Sequence, residues 1–168
     1  MNRYTVAVLV NNQLGVLNRV TSMFRRRQFN INSLTVSETE SSKFSRITVM
    51  FEGDKLTKNQ LIDQLYKLPD VHSVTELSES ASICMELLLI KMENNPETRA
   101  DIKDAAEAYG AKVVDYVKDS IVIQLTENTR KIDEFINLMR DYKILEICRT
   151  GVVALESGGQ TIRKAMYL

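Results

Sequence analysis

No sign of charge dominates this chain: 22 Lys and Arg stand against 22 Asp and Glu, a formal net charge of zero. A general nucleic-acid binder draws affinity from a basic excess that neutralises phosphates, and none is supplied here. No apolar run approaches the length that spans a bilayer. Met1-Asn2-Arg3-Tyr4 leads straight into a strand pattern without the layout of a secretory signal, so a cytoplasmic location is expected. Histidine occurs once, at His72, with no Ser, Cys or carboxylate pattern around it. CxxC, HExxH, GxGxxG and P-loop spacings are missing, and with them the fingerprints of the common metal and nucleotide sites. Asp101 and Asp104 share a helix face, but a lone carboxylate pair more often forms solvated surface. The two cysteines, Cys84 and Cys148, lie far apart in apolar runs and are expected as buried thiols in a reducing compartment.

What is present is a pattern that occurs twice. Arg3 to Val10 alternates Val6, Val8 and Val10 and reads as a strand. Asn11-Asn12-Gln13-Leu14-Gly15 reads as a turn. Val16, Val20, Met23 and Phe24 then recur at helical spacing and end in Arg25-Arg26-Arg27, where cations suit the carbonyl end of a helix. Strands are expected over Phe29 to Glu38 and Phe44 to Glu52, joined by a polar hairpin. A second helix carries Leu61, Ile62, Leu65 and Leu68 and stops before Pro69. Val71 to Leu77 is a fourth strand. After the polar linker Ser78 to Ser82 the order returns. Ile83 to Met92 is a strand, and Glu97 to Tyr109 is a helix opened by Pro96 and closed by Gly110. Lys112 to Tyr116 pairs with Ser120 to Thr126. Ile132, Phe135, Ile136 and Met139 mark a fourth helix, and Ile144 to Leu155 a last strand. The reading is an α+β chain of two tandem ferredoxin-like βαββαβ domains, 1–79 and 80–157, with a loosely ordered C-terminal tail over 158–168. Units this small bury a limited core, so a dimer at least is expected.

One polar constellation stands out. Asn12-Gln13-Leu14-Gly15 runs into the start of the first helix, where unpaired N–H groups and a partial positive charge suit a carboxylate. Asn30, at the start of the second strand, is expected close to this turn, with an amide able to bond an α-amino or α-carboxyl group. The plainer alternative is that Asn12 caps the helix and Gly15 eases the turn. An RNA-recognition module shares the βαββαβ order, but it wants stacking aromatics on its third strand, and Phe44-Ser45-Arg46-Ile47-Thr48-Val49-Met50-Phe51 lacks that motif.

The stretch Asn12-Gln13-Leu14-Gly15-Val16-Leu17-Asn18-Arg19-Val20 resembles the first loop and helix of the small regulatory subunits of acetolactate (acetohydroxyacid) synthase. So does Arg26-Arg27-Gln28-Phe29-Asn30-Ile31-Asn32-Ser33-Leu34-Thr35-Val36. Leu68-Pro69-Asp70-Val71, Leu89-Ile90-Lys91 and Arg149-Thr150-Gly151-Val152-Val153-Ala154-Leu155 extend the match in order over nearly the whole chain. The resemblance implies that the first domain is an ACT domain, that two ACT domains pair, and that an amino-acid effector sits between them. Valine is the usual effector, with leucine or isoleucine in some members. It further implies a non-catalytic subunit of branched-chain amino-acid biosynthesis that binds the catalytic subunit, activates it and confers feedback inhibition. Thiamine diphosphate, magnesium and FAD would belong to that catalytic partner and none to this chain. Carried over residue by residue, the effector site is Asn12, Gly15 and Asn30, with Gln13, Leu14, Val16 and Ile31 as neighbours. Leu14 stands where a small or polar residue is common, and Gln28 where glycine is common.

Overall fold

The computed structural model describes residues 2–163. The chain forms two compact units. One holds the residues up to Ile83 together with those from Val152 onward, and the other is Cys84–Gly151. Among the described residues, no helix is long and apolar enough to cross a membrane.

The first unit runs β1 (Asn2–Asn11), α1 (Val16–Arg26), β2 (Ile31–Glu38), β3 (Phe44–Gly53), α2 (Lys55–Tyr66) and β4 (Val71–Glu76). Its sheet has the order β2-β3-β1-β4 and is antiparallel throughout. The period-2 alternation of side chains is what builds the core. Val6 lies opposite Val49 and Val8 opposite Ile47, so the apolar set of each strand shares one face. Val16, Val20, Met23 and Phe24 of α1 and Leu61 and Leu65 of α2 close over that face. Each such side chain contributes about 1.5–3 kcal/mol relative to exposure.

The helix ends follow local chemistry. Asp54 caps α2 by accepting from the Thr57 N–H at 2.7 Å. At the far end of α1, the Phe29 N–H reaches the Phe24 carbonyl and the Gln28 N–H reaches that of Arg25. This paired arrangement requires a left-handed residue between them, and Gln28 supplies it at φ 57°. In the second unit the same paired bonds, Ala111 to Ala106 and Gly110 to Glu107, close a helix on Gly110 at φ 68°. The glycine common at position 28 in the resembling family thus has a physical reason, and this chain does without it.

The second unit repeats the order with β5 (Ser82–Glu93), α3 (Arg99–Ala108), β6 (Lys112–Tyr116), β7 (Ser120–Glu127), α4 (Thr129–Met139) and β8 (Ile144–Arg149). Its strand order is β6-β7-β5-β8, and a short β9 (Val153–Glu156) also pairs with β5. Three expectations are corrected. Helix α3 opens at Arg99 rather than Glu97, because the Asn95 carbonyl and side chain hold the intervening residues in a turn. The last strand is two strands, broken where Gly151 takes φ 79° and the Thr150 hydroxyl donates to the Gly151 carbonyl. The cysteines are free but not buried: Cys148 is exposed, since it lies opposite Leu89 on the edge strand β8, while Cys84 is half-buried. Glu86, 1% exposed, accepts two hydrogen bonds from the Arg149 guanidinium at 2.7 and 2.9 Å and one from the Thr129 hydroxyl at 2.6 Å. Burial works against the Arg149 charge, but hydrogen bonds to Glu86 and Asp133 outweigh it and hold its pKa above the ordinary value.

Residues 152–163 return to the first sheet on the face away from the helices. Arg46, opposite Leu9, donates from Nη2 to the Ala154 carbonyl at 2.7 Å. Arg163 pairs with Glu40 at 3.0 Å and lies 5.6 Å from the Phe44 ring centre. Ala7 and Leu9 on this face are fully buried. Of the expected tail over 158–168, residues 164–168 lie outside the described residues.

Two substitutions test this account. Gln28→Gly is expected to raise stability by about 0.5–1 kcal/mol in urea denaturation, the left-handed penalty less the freedom glycine adds to the unfolded chain. Glu86→Ala is expected to lower it by about 2–3 kcal/mol, because the half-buried Arg149 guanidinium keeps only Asp133 and the Thr129 hydroxyl loses its acceptor.

Candidate functional site

The turn between β1 and α1 is built on Gly15, the N-cap residue at φ 83° and ψ −9°, with no side-chain cap. The Val16 N–H donates to the Gln13 carbonyl at 3.3 Å, and the Arg19 N–H to the Gly15 carbonyl at 2.9 Å. The N–H groups of Gly15, Leu17 and Asn18 are left without a partner among the described residues. Three free donors at the positive end of a helix are chemically suited to an anion. Beside them Leu14 is 100% exposed and Leu17 41% exposed, so an apolar wall flanks the donors with nothing packed on it.

Asn12 does not cap the helix. Its Nδ2 donates to the Ser42 carbonyl and its Oδ1 accepts from the Ser45 hydroxyl, both at 3.0 Å. The reason is register: β1 ends opposite the start of β3, Asn11 facing Phe44, which puts Asn12 against the hairpin. Asn12 therefore anchors the turn to the sheet. On the other side Asn11 takes the Asp70 carbonyl through its N–H at 2.9 Å, and its Oδ1 lies 2.6 Å from His72 Nε2. Asp70 Oδ2 accepts a hydrogen bond from Arg19 Nε at 2.7 Å and forms an ion pair with Nη2, also at 2.7 Å. His72 also meets the Phe44 ring edge-on at 5.0 Å.

Asn30 and Ile31 are not near this turn. Ile31 lies opposite Phe51, which lies opposite Tyr4, whereas the turn follows Asn11 at the other end of β1. The seven steps along the strand from Tyr4 to Asn11 span about 24 Å. The expected proximity fails because α1 runs the length of the sheet and delivers the chain to its far end before β2 begins. Ile31 is half-buried against the first core, and Asn30 is exposed, its side chain without a partner among the described residues. Sequence reasoning missed Arg19, Asp70 and Ser45. Arg19 had a readable signal, since it sits four residues after Gly15 and so shares its side of the helix. Asp70 and Ser45 are brought in by strand register alone.

The family model described as the AHAS small subunit-like ACT domain matches residues 6–73, and that described as the small subunit of acetolactate synthase matches 85–158. The acetolactate synthase small subunit of Bacillus subtilis is 43% identical over 92% of this chain and 91% of its own length. This chain belongs to the acetolactate synthase small-subunit family. The isozyme 3 small subunit of Escherichia coli, another member, is 35% identical over 96% of this chain and 99% of its own length. The crystal structure of the Thermotoga maritima acetolactate synthase small subunit superposes with a TM-score of 0.85 at 34% identity, covering 95% of this chain and all of that one. The first unit is accordingly an ACT domain of this small-subunit family, and the Gly15 turn lies inside it.

A methyl group at position 15 would stand 3.3 Å from Arg19 Nη1 on a backbone that side chains rarely adopt. Gly15→Ala is expected to cost about 1 kcal/mol in denaturant unfolding through its left-handed backbone alone.

Proposed function

We propose that this chain is the non-catalytic regulatory subunit of acetolactate synthase, and that it senses valine, or leucine or isoleucine, at a site two copies build together. The supporting observation is the placement of its candidate residues at opposite ends of one sheet. Strand β2 is an edge strand, and Val36 on it is 40% exposed. Two copies joined antiparallel along β2 bring Asn30 of one to the end of the sheet where the other carries its Gly15 turn. The effector carboxylate then meets the free N–H groups of Gly15, Leu17 and Asn18. The Asn30 amide of the second copy meets the ammonium or carboxylate from across the seam. Leu14, Val16 and Ile31 border the apolar side chain, with Gln13 and Asn12 shaping the turn.

In this reading the subunit works in the cytoplasm, binds the catalytic subunit and activates it. Effector binding inhibits by favouring one arrangement of the pair, to the extent of its differential affinity. Thiamine diphosphate, magnesium and FAD belong to the catalytic subunit, and this chain binds neither nucleic acid nor membrane.

A mixing experiment checks the composite site. Gly15→Asp sets a carboxylate against the effector's own, and Asn30→Ala removes the amide. Each variant alone is expected to lose valine binding by calorimetry and to leave the reconstituted holoenzyme active but insensitive to valine. Mixed and re-annealed, they form heterodimers in which one site has both halves intact, so valine binding and partial feedback return. If the mixture stays silent while each variant remains dimeric, the site does not span two copies.

A further inference from the structure

We infer that Arg19 is the residue that makes this site select a free carboxylate, and that Asp70 is its positioning partner. This rests on the reading that the start of α1 receives the effector, and it adds a cation to what had been backbone donors alone.

A guanidinium carries five N–H donors in a rigid plane with more than one usable edge. In Arg19 the side-on edge is taken, Nε and Nη2 both lying 2.7 Å from Asp70 Oδ2. Nη1, on the end-on edge, has no hydrogen-bond partner among the described residues. It points at the Gly15 turn, 3.3 Å from where a Cβ of residue 15 would stand. Glycine at this position therefore leaves open the space between a cation and the unpaired N–H groups.

Asp70 is well placed to hold that plane still. Its side chain is largely covered, at 13% exposure. Its own backbone carbonyl is tied to the end of β1 through the Asn11 N–H, and Asn11 Nδ2 lies 3.4 Å from its Oδ1. One carboxylate thus fixes the guanidinium and neutralises it in the empty state. A second, brought by the effector, gains charge-assisted hydrogen bonds from a group already oriented. An uncharged carboxamide gains much less from the same edge.

The test is calorimetric titration of the full chain with valine and with valinamide, which carries a carboxamide in place of the carboxylate. Arg19→Gln is expected to weaken valine at least tenfold and leave valinamide nearly unchanged, erasing the preference between them. Arg19→Lys keeps the charge and is expected to retain part of that preference. Asp70→Asn is expected to reduce it through loss of orientation, with Arg19 still present. An Arg19→Gln protein that still prefers valine over valinamide as the unaltered chain does overturns the assignment. So does one that loses both ligands equally, because that is the signature of a merely structural role. Gly15→Asp run alongside separates the two readings: unchanged valine binding in that variant removes the site itself, and with it the role of Arg19.

Discussion

A helix laid along a sheet must leave one end of the strands and arrive at the other. In the first unit α1 covers 11 residues, about 16 Å at 1.5 Å per residue. That length, with Arg27 to Asn30 after it, carries the chain from the Gly15 turn to the opposite end. Much else in the unit depends on this constraint. It aligns the apolar faces of Val6, Val8 and Val10 with those of Val16, Val20 and Phe24, and keeps the Gly15 turn apart from Asn30 within one chain. On the proposed two-copy reading, half-sites held this far apart tie effector binding to assembly. Dilution, edge-strand substitutions and effector concentration then act on the same equilibrium.

Helices α1 and α3 both go without a side-chain cap, and α1 does so next to a fully exposed leucine. Asp54 and Asn128 each accept an N–H at the start of α2 and α4. A side-chain cap is ordinarily worth about 1 kcal/mol, and at α1 a bare glycine stands instead. At α1 the missing cap leaves open the donors that the proposed site would use, and local rules tend to break at functional sites.

The periodic part of the fold was legible in the residues. Val16, Val20, Met23 and Phe24 at helical spacing, and Ile132, Phe135, Ile136 and Met139 after them, are the buried faces of α1 and α4. Gly110 could be read as a helix stop because its role is local. The rest needed three dimensions. Asn30 was misplaced because proximity follows from how long α1 is and where it lies. Asn12 looked like a cap because Asn favours caps, and only the pairing of β1 with β3 turns it toward Ser42 and Ser45. The apolar run through Ile144 to Leu155 hid its break, since Gly151 sits among residues that all favour strand. The same run made Cys148 look buried, because periodicity cannot say which strand is an edge. Within the candidate site, the Gly15 turn was visible from composition and resemblance, while Asp70 and Ser45 came only from register.

The return of the chain to the first sheet has a consequence for how the protein is made. Ala7 and Leu9 are fully buried on a face where Val152 and Ala154 are buried too, and Arg46 reaches the Ala154 carbonyl there. Those later residues leave the ribosome only after the whole of the second unit has been synthesised. The nascent first domain can close its helical side early, yet its other side stays unfinished throughout that interval. Truncation by a premature stop in the second unit would therefore release a chain whose Ala7, Leu9, Thr48 and Ser73 are left uncovered, an incompletely folded species for chaperones and proteases to meet.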